Sequence, residues 1–320
     1  MTRRLTLLML VAVLATAGTG ALLIARERAR IEPEVTPPAA SGLALIVVRT
    51  ENGPLPVVVG TTGFRTTGAL VISPRTLLVV PGQGESTVGE LPPREAATAV
   101  GNLLGVWIED HATIDTGRLE AIANETDGLE MGGDAANGQD VADMLAEPGA
   151  GGVSGLQIAL EALLSADVAW APTDLAEADH PGTVVRALSA AAGSNVATLQ
   201  TDEAAAGILR ASPDQVTEAL VEAFGGPATE AVPVIVLNGN GVPGIGEAVA
   251  ERIIPGGFRV AVSQNASNFD HAETLIVVGS PDDVALAERV RDLLGMGSVS
   301  VSVGSGIAPV TIVVGKDFSG

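Results

Sequence analysis

The chain contains no cysteine and no tyrosine, a single lysine (Lys316) and three histidines. Absent cysteine excludes disulfides, thiolate nucleophiles and iron–sulfur clusters, and it is compatible with an oxidising compartment without establishing one. Aromatic residues make up only 2% of the 320 positions. The core must therefore be built from Ala, Val, Leu and Ile, and few flat rings remain to stack on sugars or bases. Positive charge is scarce too, with 17 basic against 38 acidic residues and a net charge of −21. Residues 1–30 hold five Arg against Glu27, so the remainder carries −25. A body this acidic repels phosphate backbones, which excludes nucleic acid as a partner. Its plain physical reading is a solvated, soluble surface. The Ala/Gly/Val-rich, lysine-poor composition resembles that of a high-GC bacterial protein.

One long apolar run is present. Leu5 to Ala25 is uncharged over 21 residues, and about 20 such residues cross a bilayer as a helix. Arg3 and Arg4 precede it, and Arg26, Arg28 and Arg30 follow. Ala15-Thr16-Ala17 offers a signal-peptidase type of site, but the run continues well past it. That favours an uncleaved anchor over a cleaved signal. With the short N-terminus left in the cytoplasm, the body is expected outside the cytoplasmic membrane as a single-pass protein.

Residues 31–42 contain three Pro and no periodic pattern, and read as an extended spacer. Short β-rich runs follow at 43–48, 55–60, 69–72 and 76–80, with Ser73-Pro74-Arg75 expected to turn a hairpin between the last two. Helical periods are expected at 94–104, 115–126, 155–164, 183–191 and 214–223, with 132–152 mostly loop around a short helix. Ser212-Pro213-Asp214 is a start signal for the last helix. Mixed strands and helices predict a layered α/β domain over 43–224. A linker at 225–231 leads to a second domain over 232–318, patterned β-α-β-β-α-β-β. That order predicts a small α+β unit with two helices on one face of a sheet.

The second domain opens on Val234-Ile-Val-Leu-Asn-Gly239-Asn-Gly241-Val-Pro-Gly244, the G-x-G-x-x-G spacing of a dinucleotide-binding turn. Such a site also needs an acidic residue at the end of the second strand to hold the ribose. Here that strand ends Val262-Ser263-Gln264, and two consecutive strands follow where another crossover helix is required. Dinucleotide binding is therefore excluded. The turn reads as a tight strand-to-helix connection with Asn238 and Gly239 or Gly241 in left-handed conformation.

The whole segment 232–318 resembles the C-terminal domain of LytR-family proteins. The resemblance is carried by Asn238-Gly239-x-Gly241-x-x-Gly244, Gly257-Phe258-x-Val260, Asn265-Ala266-x-x-Phe269-Asp270 and Val310-Thr-Ile-Val-Val-Gly315-Lys316-Asp317-Phe318. His271 follows Phe-Asp as the family's pattern has it, and Pro255 is an insertion that shortens the first helix. The resemblance implies that 43–224 is a LytR-CpsA-Psr (LCP)-like domain. That family moves glycopolymers from a polyprenyl-pyrophosphate carrier to peptidoglycan. Phe64-Arg65-Thr66-Thr67 is similar to the family's Arg-Ser-Asp strand entry, and Leu104-Gly105-Val106-x-Ile108-Glu109-Asp110-His111 to its Leu-Gly-Ile-x-Ile-Asp-His-Tyr segment. The catalytic positions depart from the pattern. The motif Asp is Thr67, Pro-Arg-Asp is Pro81-Gly82-Gln83, and the Arg-x-x-Arg-Gln helix reads Gly152-Val-Ser-Gly155-Leu-Gln157. A pyrophosphate needs several cations or Mg²⁺ to offset its charge, and only Arg65 sits where the pattern asks for one.

These readings predict a degenerate, non-catalytic LCP-like domain with no catalytic residue, metal or cofactor. The candidate ligand-binding residues are Arg65, Asn238, Gly239, Gly241, Asn265, Phe269 and Asp270. The expected role is a membrane-anchored envelope protein that binds or scaffolds during cell-wall glycopolymer attachment or envelope maintenance. Its partners would be a cell-wall component, a polyprenyl-linked lipid or active LCP enzymes. The alternative is a divergent LCP-type phosphotransferase. His111 and His180 have no second histidine at ligand spacing and read as structural. Glu109-Asp110 and Asp115 read as turn and helix-start residues, Asp282-Asp283 as a helix cap, and Trp107 and Trp170 as core.

Overall fold

The computed structural model describes residues 42–62, 66–166, 168–225, 231–302 and 308–319. The expected membrane anchor, the Pro-rich spacer and Arg65 lie outside the described residues. Among the described residues no helix is long and apolar enough to cross a membrane.

The first domain is organised by a sheet buried on both faces. Its strands are β1 (Gly42–Thr50), β2 (Gly53–Thr61), β3 (Thr67–Val71), β6 (Asp110–Asp115) and β9 (Val196–Thr198), in the order β6-β1-β2-β3-β9. The hairpin of β4 (Leu77–Val80) and β5 (Gly84–Thr87) stands apart from it. Side chains alternate across a strand. In β1, Ala44, Ile46 and Val48 enter one core while Leu43, Leu45 and Val47 enter the other. Burial on both faces explains why these strands read as unbroken apolar runs rather than alternating ones. The first core is covered by α2 (Thr116–Glu125), α3 (Gly138–Leu145), α4 (Ala150–Ser165) and α5 (Pro181–Ala190). The second is covered by α1 (Pro93–Leu104) and α6 (Pro213–Phe224). The layers are therefore α/β/α, as mixed patterning predicts.

Two local signals act as expected. Ser212 Oγ accepts from the Gln215 N–H at 3.3 Å and caps α6. Asp115 accepts from the Arg118 N–H at 2.8 Å and starts α2. The hairpin expected around Ser73–Arg75 is not formed. β3 pairs with β2 and β9, and β4 pairs instead with β5. The turn residues are present, but the tertiary pairing of β3 occupies both its edges.

The second domain has β12 (Val232–Asn238), α7 (Ile245–Ile253), β13 (Phe258–Asn265), β14 (Leu275–Val278), α8 (Val284–Leu294), β15 (Ser298–Val301) and β16 (Val310–Val314). Among the described residues the first domain also has two short two-stranded pairs: β7 (Glu130–Met131) with β8 (Asp134–Ala135), and β10 (Asp202–Ala205) with β11 (Ile208–Arg210). The expected β-α-β-β-α-β-β order holds, and the sheet runs β13-β12-β16-β14-β15. Val234, Val236, Val260, Ile276, Val278, Val310, Ile312 and Val314 form one buried core with Val249, Ile253, Ala287 and Val290 of the two helices. Pro255 does end α7, in a short 3-10 turn over Ile254–Gly256.

The two domains are joined by hydrogen bonds as well as by chain. Asn102, 3% exposed on α1, accepts from the Val260 N–H at 2.6 Å. It also donates to the Val260 carbonyl at 2.9 Å. β13 is an edge strand, and a β-bulge skips Ala261 in its pairing with β12. The Asn102 amide thus pairs with the open edge in the manner of one more strand residue. Trp107, expected to be core, is partly buried and packs against the core of the second domain. Trp170 packs against the first core.

Candidate functional site

Three parallel strands of the second domain end together. Asn238 of β12 is in register with Asn265 of β13 and Val314 of β16. In open α/β sheets the carboxyl ends of parallel strands are where loops gather and ligands sit. Here they carry the Gly239–Gly244 loop, the loop after Asn265, and Gly315–Asp317.

The Gly239–Gly244 loop is held by its own side chains. Asn238 Oδ1 accepts from the N–H groups of Gly241 at 2.8 Å and Asn240 at 3.3 Å. Its amide donates to the Val242 carbonyl at 3.0 Å. Asn240 donates to the Gly315 carbonyl at 3.1 Å and accepts from the Val242 N–H at 2.9 Å. The left-handed residues are Gly241 (φ 77°) and Gly244 (φ 78°), not Asn238 or Gly239. Asn238 is therefore an organiser of the turn. Glycine at 239 has a packing reason: a Cβ there would meet the His271 ring at 2.8 Å.

A cleft of about 280 Å³ opens beside this loop. It is lined by Asn238, Ile245, Gly246, Ser263, Gln264 and Asn265, and closed on the far side by Gly82–Gly84 of the β4–β5 turn. The Gly82 N–H donates to Ser263 Oγ at 2.7 Å and fixes that wall. Among the described residues, none that lines the cleft is charged. Its chemistry is amide, hydroxyl and backbone. Phe269, 45% exposed, lies against Gly241, and Val242 is exposed beside it. Asp270 is exposed, with Lys316 Nζ 3.7 Å away.

Six of the seven residues expected to bind a ligand therefore stand at one end of one sheet: Asn238, Gly239, Gly241, Asn265, Phe269 and Asp270. Of these, Asn238 and Asn265 face the cleft, while Phe269 and Asp270 stand outside it. Sequence reading named Gly82 and Gln83 only as departures from a motif and did not name Gly84; their place opposite Ser263 is set only by the docking of the two domains. It also missed the amides of Gln264 and Asn102, which lie in no motif.

The docking face carries one perturbed acid. Burial, together with the nearby Glu251 and Glu95 carboxylates, raises the pKa of Glu247 on α7, and Arg94 offsets part of that. An acid whose pKa is raised on folding favours the folded state at low pH, and that contribution is lost as pH rises through the raised value. Glu247→Gln should therefore be slightly more stable than the parent at pH 7, by about 1–2 °C in Tm. The difference should vanish on acidification to where Glu247 is protonated. Thermal melts across pH would reveal a gain that fails to shrink in acid, which would rule this cause out.

A second cluster lies in the first domain. Asp110, at the start of β6, is buried. Its Oδ1 accepts from the His111 N–H and its Oδ2 from the His180 N–H, both at 2.7 Å. It thus caps the N-terminus of α5 from across the fold, a helix-start role for a helix 70 residues away. Ligand atoms of Asp110, His111 and Asp179 lie within 4.8 Å of one another. Sequence reading weighed His111, His180 and Asp110 one by one and gave them structural roles, and nothing in it linked them to Asp179. The available signal was that each of the three histidines directly follows an aspartate.

Residues 231–318 match the family model described as "LytR cell envelope-related transcriptional attenuator", the LytR C-terminal domain. That is the domain the second half's motifs resemble, to within one residue of its expected start. No curated protein matches the chain. Among solved structures, the chain is similar to a transcriptional regulator from Enterococcus faecalis (13% identity, 60% of this chain and 89% of that one, TM-score 0.42). It is also similar to a LytR-Csp2A-Psr enzyme from Actinomyces oris (12%, 58% and 93%, TM-score 0.43). A third is a LytR-CPS2A-psr family protein solved with bound octaprenyl pyrophosphate lipid (13%, 61% and 95%, TM-score 0.41).

Proposed function

We propose that this chain is a membrane-anchored, extracytoplasmic envelope protein that acts by binding rather than by catalysing transfer. The cleft between the Gly82–Gly84 turn and the LytR C-terminal domain would hold an uncharged, hydroxyl-rich segment of a cell-wall glycan. The observation that carries this reading is the lining itself: Gln83, Asn238, Ser263, Gln264 and Asn265 supply amide and hydroxyl groups, with no charge among the described residues. Amides offer a donor and an acceptor side by side, which suits sugar hydroxyls. A pyrophosphate would ask for cations that this cleft lacks. Phe269 adds one exposed ring next to the cleft in a chain that has few.

The test is co-sedimentation of the full chain with purified peptidoglycan sacculi. The expected result is saturable binding, weakened about tenfold or more in the double variant Gln264→Ala, Asn265→Ala. Equal binding by parent and variant would remove the cleft from the reading. In parallel, the chain would be offered a short polyprenyl pyrophosphate with Mg²⁺. Turnover there would replace this reading by that of a divergent phosphotransferase.

A further inference from the structure

We infer that Asp110, His111 and Asp179 form a binding site for a divalent transition-metal ion of the Zn²⁺ class, clipping the edge strand β6 to the N-terminus of α5. The three groups come from two chain segments 68 residues apart that the fold brings together. One ligand atom from each lies within 4.8 Å of the others. Bonds of about 2.0–2.2 Å place the ligands of such an ion roughly 3–4 Å apart, so a small inward movement completes the set.

A second, independent observation concerns His111. Its side chain is only 10% exposed. Its Nδ1 lies 3.9 Å from Asp110 Oδ1, beyond hydrogen-bond reach but on the side of the carboxylates. An ion between them would take one ligand atom from His111 and one from each carboxylate. Asp110 is already oriented by two N–H donors, His111 and His180, and each carboxylate oxygen keeps a lone pair for a metal. The exposed Asp179 leaves an entry path from solvent. The exposed His180 ring, with Nδ1 3.4 Å from Asp110 Oδ2, stands next to the remaining coordination position. A nitrogen with two carboxylates suits Zn²⁺, Co²⁺ or Mn²⁺ better than the all-oxygen preference of Ca²⁺ or Mg²⁺. The site lies on the sheet of the first domain and is independent of the cleft and its proposed glycan.

The experiment is titration of the metal-free full chain with ZnCl₂, followed by calorimetry and by thermal melting. One ion per chain with micromolar or tighter affinity and a Tm rise of several degrees is expected. Asp179→Asn changes only an exposed side chain and should fold normally while losing at least tenfold in affinity. His111→Gln should lose as much. With Co²⁺ in place of Zn²⁺, visible absorption typical of a low-coordinate nitrogen and oxygen site should appear in the parent and not in Asp179→Asn. The inference is overturned by no binding at 100 μM Zn²⁺. Undiminished binding in Asp179→Asn, or a stronger response to Mg²⁺ than to Zn²⁺, would overturn it equally.

Discussion

Asn102→Ala is expected to lower the stability of the chain by about 2–4 kcal/mol, the largest effect of any single polar substitution proposed for this protein. The reason is what stays behind. Asn102 satisfies both the N–H and the carbonyl of Val260, at 2.6 and 2.9 Å. Its amide also lies 3.4 Å from the Val79 carbonyl on β4. Truncation leaves the two Val260 backbone groups buried without partners, and each such group costs about 1–3 kcal/mol. In a chain of this size the loss corresponds to roughly 3–7 °C in Tm. Asn102→Asp should be no milder, because a carboxylate has no donor for the Val260 carbonyl and must be desolvated. Denaturant unfolding of parent and variants decides the matter. A change below about 0.5 kcal/mol would mean that water replaces the amide and that the domains are held by apolar contact alone.

The second large effect is expected from Gly246→Ala, at the start of α7. In an isolated helix this exchange gains about 1 kcal/mol, since alanine is the better helix former. Here the sign should reverse. A Cβ at 246 would overlap the Gly82 nitrogen and stand 2.6 Å from its Cα and 2.6 Å from Ser263 Oγ. Two of those atoms are backbone and cannot rotate away. The β4–β5 turn must lift off the helix, and the Gly82–Ser263 hydrogen bond goes with it. Overpacking of this kind costs about 1–3 kcal/mol. Two readouts separate this from a general loss of stability. The turn at 81–84 should become more sensitive to limited proteolysis, and sacculus binding should fall if the cleft is the glycan site. A variant more stable than the parent, with an unchanged turn, would show that the turn does not press on α7.

Much of the architecture was legible because it rests on local periodicity. The unbroken apolar runs of β1 and β2, the helical spacing of α1 and α6, and the caps at Ser212 and Asp115 each carry their instruction within a few residues. The domain at 231–318 was legible because its motifs fall in order along one continuous stretch. The Ser73–Arg75 turn misled for the opposite reason. It is a sound turn, but whether its flanking strands pair is decided by competition with β2 and β9, which are distant in the chain.

By itself, the sequence determined the α/β composition, the domain at 231–318, the strand-to-helix turn at 239–244 and the gathering of Asn238, Gly241 and Asn265 in that domain. All of these follow from side-chain period, glycine and proline placement, and short-range hydrogen bonds. Only the tertiary structure decided that Asn102 seals an open strand edge 158 residues away. It alone set Gly82–Gly84 as the far wall of the cleft, and it alone brought Asp179 to Asp110 and His111. Those contacts depend on the register of whole sheets and on how one buried face meets another, and no local pattern encodes where two distant surfaces will touch.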